Sequence, residues 1–130
     1  MAFQVGGPTP LPEHHVLTVK APTGINETTG ATVEQWAALA MTGYNSIHCV
    51  DGEAPVCFAM HRVTRNDQPL GVILVGGKHT VIHPEYAGTA PATGTTIIAS
   101  PDGKVKAGLA TGVGYVMEVD VASRQVQVLI

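Results

Sequence analysis

The chain predicts a mainly β fold: a small β-barrel or β-sandwich-like body of short antiparallel strands and hairpins, with one short helix and an extended N-terminal arm. Three observations predict it. From Pro55 onward, short apolar runs alternate with turn residues: PVCFAMHRV, TRNDQ, PLGVILVGG, KHTVIHPEY, TTIIA, SPDG, KVKAG, VGYVMEVDV, ASR and QVQVLI. The 15 Gly and 9 Pro fit a chain with many turns. Aromatic residues are only 5%, so the core is built from Val, Ile, Leu, Met and Ala. At 130 residues the chain is one domain, able to bury roughly two-thirds of its unfolded surface. Residues 1–24 read as a Pro/Gly-rich arm and residues 25–130 as a single β-rich domain.

The arm carries Pro8, Pro10 and Pro12 at alternate positions beside Gly6 and Gly7. Proline fixes φ and pushes its predecessor to extended backbone, so this is an arm rather than a packed element. Residues 15–20 (HVLTVK) alternate as a strand does, until Pro22 and Gly24 break the pattern. Residues 24–32 form a polar loop. Residues 33–41 (VEQWAALAM) read as a short helix: Thr32 as N-cap, Gln35 closing a capping box, and Trp36, Leu39 and Ala40 on one face. Gly43 ends it. A buried strand is the competing reading of this Ala-rich run.

Residues 44–50 and 55–63 flank DGEA, where Asp51 and Gly52 suit a tight hairpin turn. Residues 56–63 are largely apolar on both faces, as in a strand buried on two sides. Residues 71–77 (GVILVGG) read as a strand ending at a Gly-Gly turn, since they lack the spacing and Lys of a phosphate loop. Pro101, Asp102 and Gly103 make a turn joining residues 95–99 to 104–107. The last hairpin runs over residues 115–121, turns at 122–124, and returns over 125–130. Val126, Val128 and Ile130 there face inward against Gln125 and Gln127 outward. Ile130 falls within that strand and is expected to be held in the sheet.

Chemistry-bearing groups are sparse. Cys49 and Cys57 are too few for a disulfide scaffold. A cross-strand disulfide between them is conceivable, though a reducing compartment argues against it. Lying eight residues apart, they do not have the close spacing of a metal-ligand pair, and His48 and His61 do not complete one. His79 and His83 flank one strand with Glu85 nearby, while His14 and His15 sit in the arm. The ten acidic residues are scattered, no serine sits in a nucleophile elbow, and neither cysteine has an activating neighbour. No enzymatic activity, cofactor or metal is therefore expected. A net charge of −3 and a pI near 6.0 argue against nucleic acid. No apolar run reaches the length of a membrane helix, and the first residues lack a secretory leader. A protein remaining in the compartment where it is made is the simplest expectation. Charged residues at 13% fall well below the usual quarter, which points to burial against partners.

The order of features from about residue 41 onward resembles the head-decoration, or capsid cement, proteins of tailed bacteriophages, of the kind carried by phage lambda. The resemblance rests on IHCVDGEAP, the Pro-Leu-Gly-Val strand at 69–72 continuing as ILVGG, HPEYAGTA, GTTIIASPDGKVKAG and the closing GVGYVMEVDVASRQVQVLI. It covers about seventy per cent of the chain. It implies a β-rich body, often trimeric, bound to the major capsid protein on the outer surface of the expanded virion shell, cementing capsomers against internal DNA pressure. Synthesis in the host cytoplasm follows. It also implies an arm that orders against the shell by adding a strand, with Phe3, Val5, Val16, Leu17 and Val19 as capsid contacts. The longer front end and the helix around Trp36 depart from the shortest members. Two other readings remain: a tail, fibre or baseplate β-module, and a small ligand-binding barrel or enzyme. In the latter His48, His61, His79 and His83 would converge, with Trp36 and Tyr86 as a stacking surface.

Overall fold

The computed structural model describes residues 16–76, 80–108 and 110–130. The chain is mainly β. Five strands form a closed barrel in the order β1 (Val16–Lys20), β3 (Asn45–His48), β2 (Ala38–Thr42), β4 (Cys57–Ala59) and β5 (Pro69–Leu74), with β5 returning to β1. Strand periodicity decides what fills it. Val19 of β1, Leu39 of β2, Cys57 and Ala59 of β4, and Leu70 and Val72 of β5 point inward and are buried together, with Leu17, Met41 and Leu74 packed against them.

A second β unit follows. β6 (Val81–Ile82), β10 (Gln125–Leu129) and β9 (Tyr115–Asp120) form one antiparallel sheet. β7 (Thr96–Ala99) and β8 (Val105–Gly108) form a hairpin around a single 3-10 turn, Pro101–Gly103. Isolated bridges join the two pieces. Ile97 pairs with Val113 on one side, while Glu85 and Tyr86 link Gln125 to Val105 on the other. The unit thus wraps round Ile82, Tyr86, Ile97, Val105, Val116, Val126 and Val128.

The two units share a core. Ala38, Cys49, Phe58 and Ile73 on the outside of the barrel belong to the same buried cluster as the second unit's interior. β4 is therefore buried on both faces, with Cys57 and Ala59 inside the barrel and Phe58 between the units. That is why residues 56–63 read as largely apolar on both faces. A strand over residues 16–20, the Pro-Asp-Gly turn and the terminal hairpin all form as the sequence predicts. Ile130 is buried and exchanges two backbone hydrogen bonds with Thr80.

Two expectations need correction. Residues 33–41 hold no helix. Val33 bridges Val63, the Trp36 N–H donates to the Ala59 carbonyl (2.7 Å), and Trp36 takes a φ of 66°, so the chain turns there and enters β2. Thr32 Oγ1 donates to the Glu34 carboxylate rather than capping a helix. β2 buries Leu39 inside the barrel and Ala38 outside it, and a strand apolar on both faces loses the period that separates strand from helix. The second correction concerns DGEA, which does not join paired strands. β3 pairs with β2 and β1, and β4 lies on the far side of β2. The tight reversal falls earlier, at Gly43-Tyr44, where Gly43 supplies the positive φ that a two-residue hairpin needs. Asp51-Gly52 still makes a turn, tied to β7 by Gly52 N–H to Ala99 O and Ala99 N–H to Glu53 O.

Candidate interaction surface

Two exposed surfaces stand out, and neither carries a reactive constellation. The first lies along the seam between β1 and β3. The two strands run parallel and meet at one residue pair, Lys20 and Asn45. Beyond it the chain leaves β1 through Pro22 into the 23–32 loop, opening a groove of about 610 Å³. Pro22, Ile25 and Ala31 line it on the loop side, Ser46, Ile47 and His48 on the β3 side, and Asp102 also borders it. Ile47 is 59% exposed, and Tyr44 at the hairpin tip is 67% exposed. Burial holds the His48 pKa below its usual value, with the Asp102 carboxylate acting in the opposite direction.

The second surface is the outer face of the β6-β10-β9 sheet. Val81, Leu129 and Tyr115 sit side by side across the three strands. A register shift in the β9–β10 ladder leaves Met117 as an extra residue, opposed by none on β10, beside them. Val81, Tyr115 and Met117 are each more than 40% exposed. The opposite face of the same strands holds Ile82, Val128 and Val116, all fully buried. An apolar row on the wet face of a sheet whose other face already serves the core is a candidate contact surface.

The residues expected to touch a capsid are distributed differently. Phe3 and Val5 lie outside the described residues, as do His14, His15 and His79. Val16 and Leu17 are half-buried, one packed against each core cluster. Val19 is 3% exposed inside the barrel and offers no surface to a partner. β1 itself pairs along its whole length with β5, so residues 16–20 add a strand to their own barrel.

The three described histidines of the proposed convergent set occupy separate local contacts. His48 borders the groove beside Asp102. The imidazole of His61 takes a structural part: the Gly71 N–H of β5 donates to Nε2 at 3.0 Å, continuing the β4–β5 ladder after Met60. That places the ring proton on Nδ1, 3.3 Å from the Arg62 carbonyl. His83 packs against the Trp36 ring with centroids 6.3 Å apart. Tyr86 is buried, with the Arg124 guanidinium 5.0 Å from its ring centre.

Cys49 and Cys57 are free thiols on opposite sides of β2 and opposite faces of the sheet. Strands two apart lie about 9.5 Å from each other, beyond the ~7 Å across which a disulfide closes. Burial pushes both thiols up to about 12. Among the described residues no group of three His, Cys, Asp or Glu side chains is placed to hold a metal ion.

Neither Tyr44 nor Ile47 stands out in the sequence: Ile47 borders the β1–β3 pairing, which joins segments far apart in the chain, and Tyr44 sits on a hairpin tip read as the end of a helix. The available signal was Gly43, read as a helix stop when it is the turn that lifts Tyr44 to the surface. Neither a scan against protein-family models nor a search of curated proteins finds a match to this chain.

Proposed function

We propose that the chain is a structural virion protein, a decoration module that binds the major capsid protein on the outer surface of an expanded phage head and, as a trimer, cements neighbouring capsomers. One observation carries the reading: the apolar row of Val81, Leu129 and Tyr115 with Met117, Leu129 half-buried and the other three exposed, on a body of only 13% charged residues. Such a surface is costly on a free monomer and useful once covered. Shell symmetry multiplies modest contacts, so each copy needs little affinity alone. The resemblance in strand order described above supports the same reading.

The test is to mix the purified protein with expanded heads lacking it. Stoichiometric uptake, with heads made more resistant to heat or chelator, is the expected result. No uptake by a stable, folded chain overturns the proposal. A Met117→Glu variant places a charge in the row at an exposed position. It should fold normally and bind heads at least about tenfold more weakly, the effect of losing roughly 1.4 kcal/mol at a contact centre.

A further inference from the structure

The β1–β3 ladder stops for a local reason. The Lys20 N–H donates to the Tyr44 carbonyl at 2.8 Å. The next rung would require the N–H and the carbonyl of residue 22. That residue is proline, which has no N–H, and its carbonyl already accepts the Ile25 N–H at 3.2 Å. β3 nevertheless continues to His48. Asn45, Ile47 and Cys49 direct their backbone groups at β2. The carbonyl of Ser46 and the N–H and carbonyl of His48 consequently face the groove, a short stretch of open sheet edge bordered by the exposed Ile47.

The sequence holds a segment with the matching property. In extended backbone, alternate residues present their N–H and carbonyl groups to the same edge. Pro8, Pro10 and Pro12 therefore lose their donors on one edge, while Thr9, Leu11 and Glu13 keep theirs on the other. Such a strand pairs on one side only and blocks further addition on its far side.

Within its own chain Leu11 falls short of the far end of the groove. β1 and β3 are parallel, Val16 lies four residues before the Lys20–Asn45 pair, and His48 three residues after it. Seven strand residues span about 23 Å. Leu11, five residues ahead of Val16, extends about 18 Å at most.

We propose that residues 8–13 of one copy add as an edge strand to β3 of a second copy, with Leu11 covering Ile47. Segment and edge are different surfaces, so reciprocal exchange closes a dimer about a two-fold axis and one-way exchange propagates round a ring. The inference concerns the partner of the groove and stands apart from the capsid reading, which rests on the other sheet.

Sedimentation velocity of the full chain from about 1 to 100 μM tests it, alongside a deletion of residues 1–13 and the Ile47→Glu variant. Ile47 is exposed, so its substitution leaves the core intact, and unchanged circular dichroism checks this for both variants. The expected result is concentration-dependent association, abolished by the deletion and weakened at least tenfold by Ile47→Glu. A chain that stays monomeric throughout overturns the inference, as does association that survives the deletion. Association lost with the deletion but untouched by Ile47→Glu places the segment elsewhere and overturns it equally. Heads that take up a chain monomeric in solution would sink this inference and leave capsid binding through the other sheet standing.

Discussion

Gly114 and Gly30 separate two costs that a sequence shows as one letter. Both have positive φ, 70° and 77°. A Cβ at Gly30 meets nothing within 4 Å, whereas at Gly114 it would lie 2.6 Å from Cγ1 of Val128 and 3.1 Å from the Leu129 carbonyl. Gly30→Ala should cost about 1–2 kcal/mol, the left-handed penalty alone. Gly114→Ala adds overpacking of a further ~1–3 kcal/mol against a buried strand. Denaturant midpoints of the two variants check the difference, and equal losses would contradict the packing at β10.

The two thiols give a pH prediction at the same scale. Each is raised from 9.0 to about 12 by burial, so an unfolded chain ionises them while the folded chain does not. Their neutral burial is fully compatible with folding below pH 9, and stability falls as pH rises from about 9 toward 12. Replacing Cys57 with Val should flatten that alkaline decline, measured as urea midpoint against pH. In the folded protein at pH 8 neither thiol should react with a thiol reagent before the chain unfolds.

Among the elements, β4 is the smallest in the barrel and the one most engaged on both faces. Phe58 is fully buried between the two units, while Cys57 and Ala59 fill the barrel. Phe58→Ala should destabilise the protein by about 3–5 kcal/mol. The elements also show what pattern reading reaches. The Pro-Asp-Gly hairpin and the terminal hairpin were legible because their turn residues and alternation are local: Asp102 and Gly103 both take positive φ, and Val126 and Val128 face one way. The strand over residues 38–42 was not, because both its faces are buried and its Ala residues favour neither period. The order of β2, β3 and β4 was misread for a related reason. A Gly-Tyr reversal and an Asp-Gly reversal look alike in sequence, and the choice between them depends on which strand the chain meets next.

At the scale of the molecule, the shared cluster that joins Ala38, Cys49, Phe58 and Ile73 to the second unit makes the two units interdependent. Heat or denaturant should unfold them in one transition by both near- and far-ultraviolet circular dichroism. In Phe58→Ala the two units should still melt together, at a lower midpoint. Two separated transitions would show that the shared cluster does not couple them. Deleting residues 1–13 should leave the transition in place, since β1 begins at Val16 and is paired along its length.

By itself the sequence determined that this protein is a charge-poor β-body rich in turns. Those properties follow from composition and local period, which need no knowledge of neighbours. Only the tertiary structure decided which surfaces stay open. Val19, expected at a contact, is enclosed because β1 closes the barrel against β5. Ile47 is exposed where the distant β1–β3 pairing stops at Pro22, Tyr44 at the tip of the β2–β3 hairpin, and Tyr115 and Met117 beside the register shift between β9 and β10. For Val19 and Ile47 the outcome is a property of segments brought together across the chain, and no window of residues contains it.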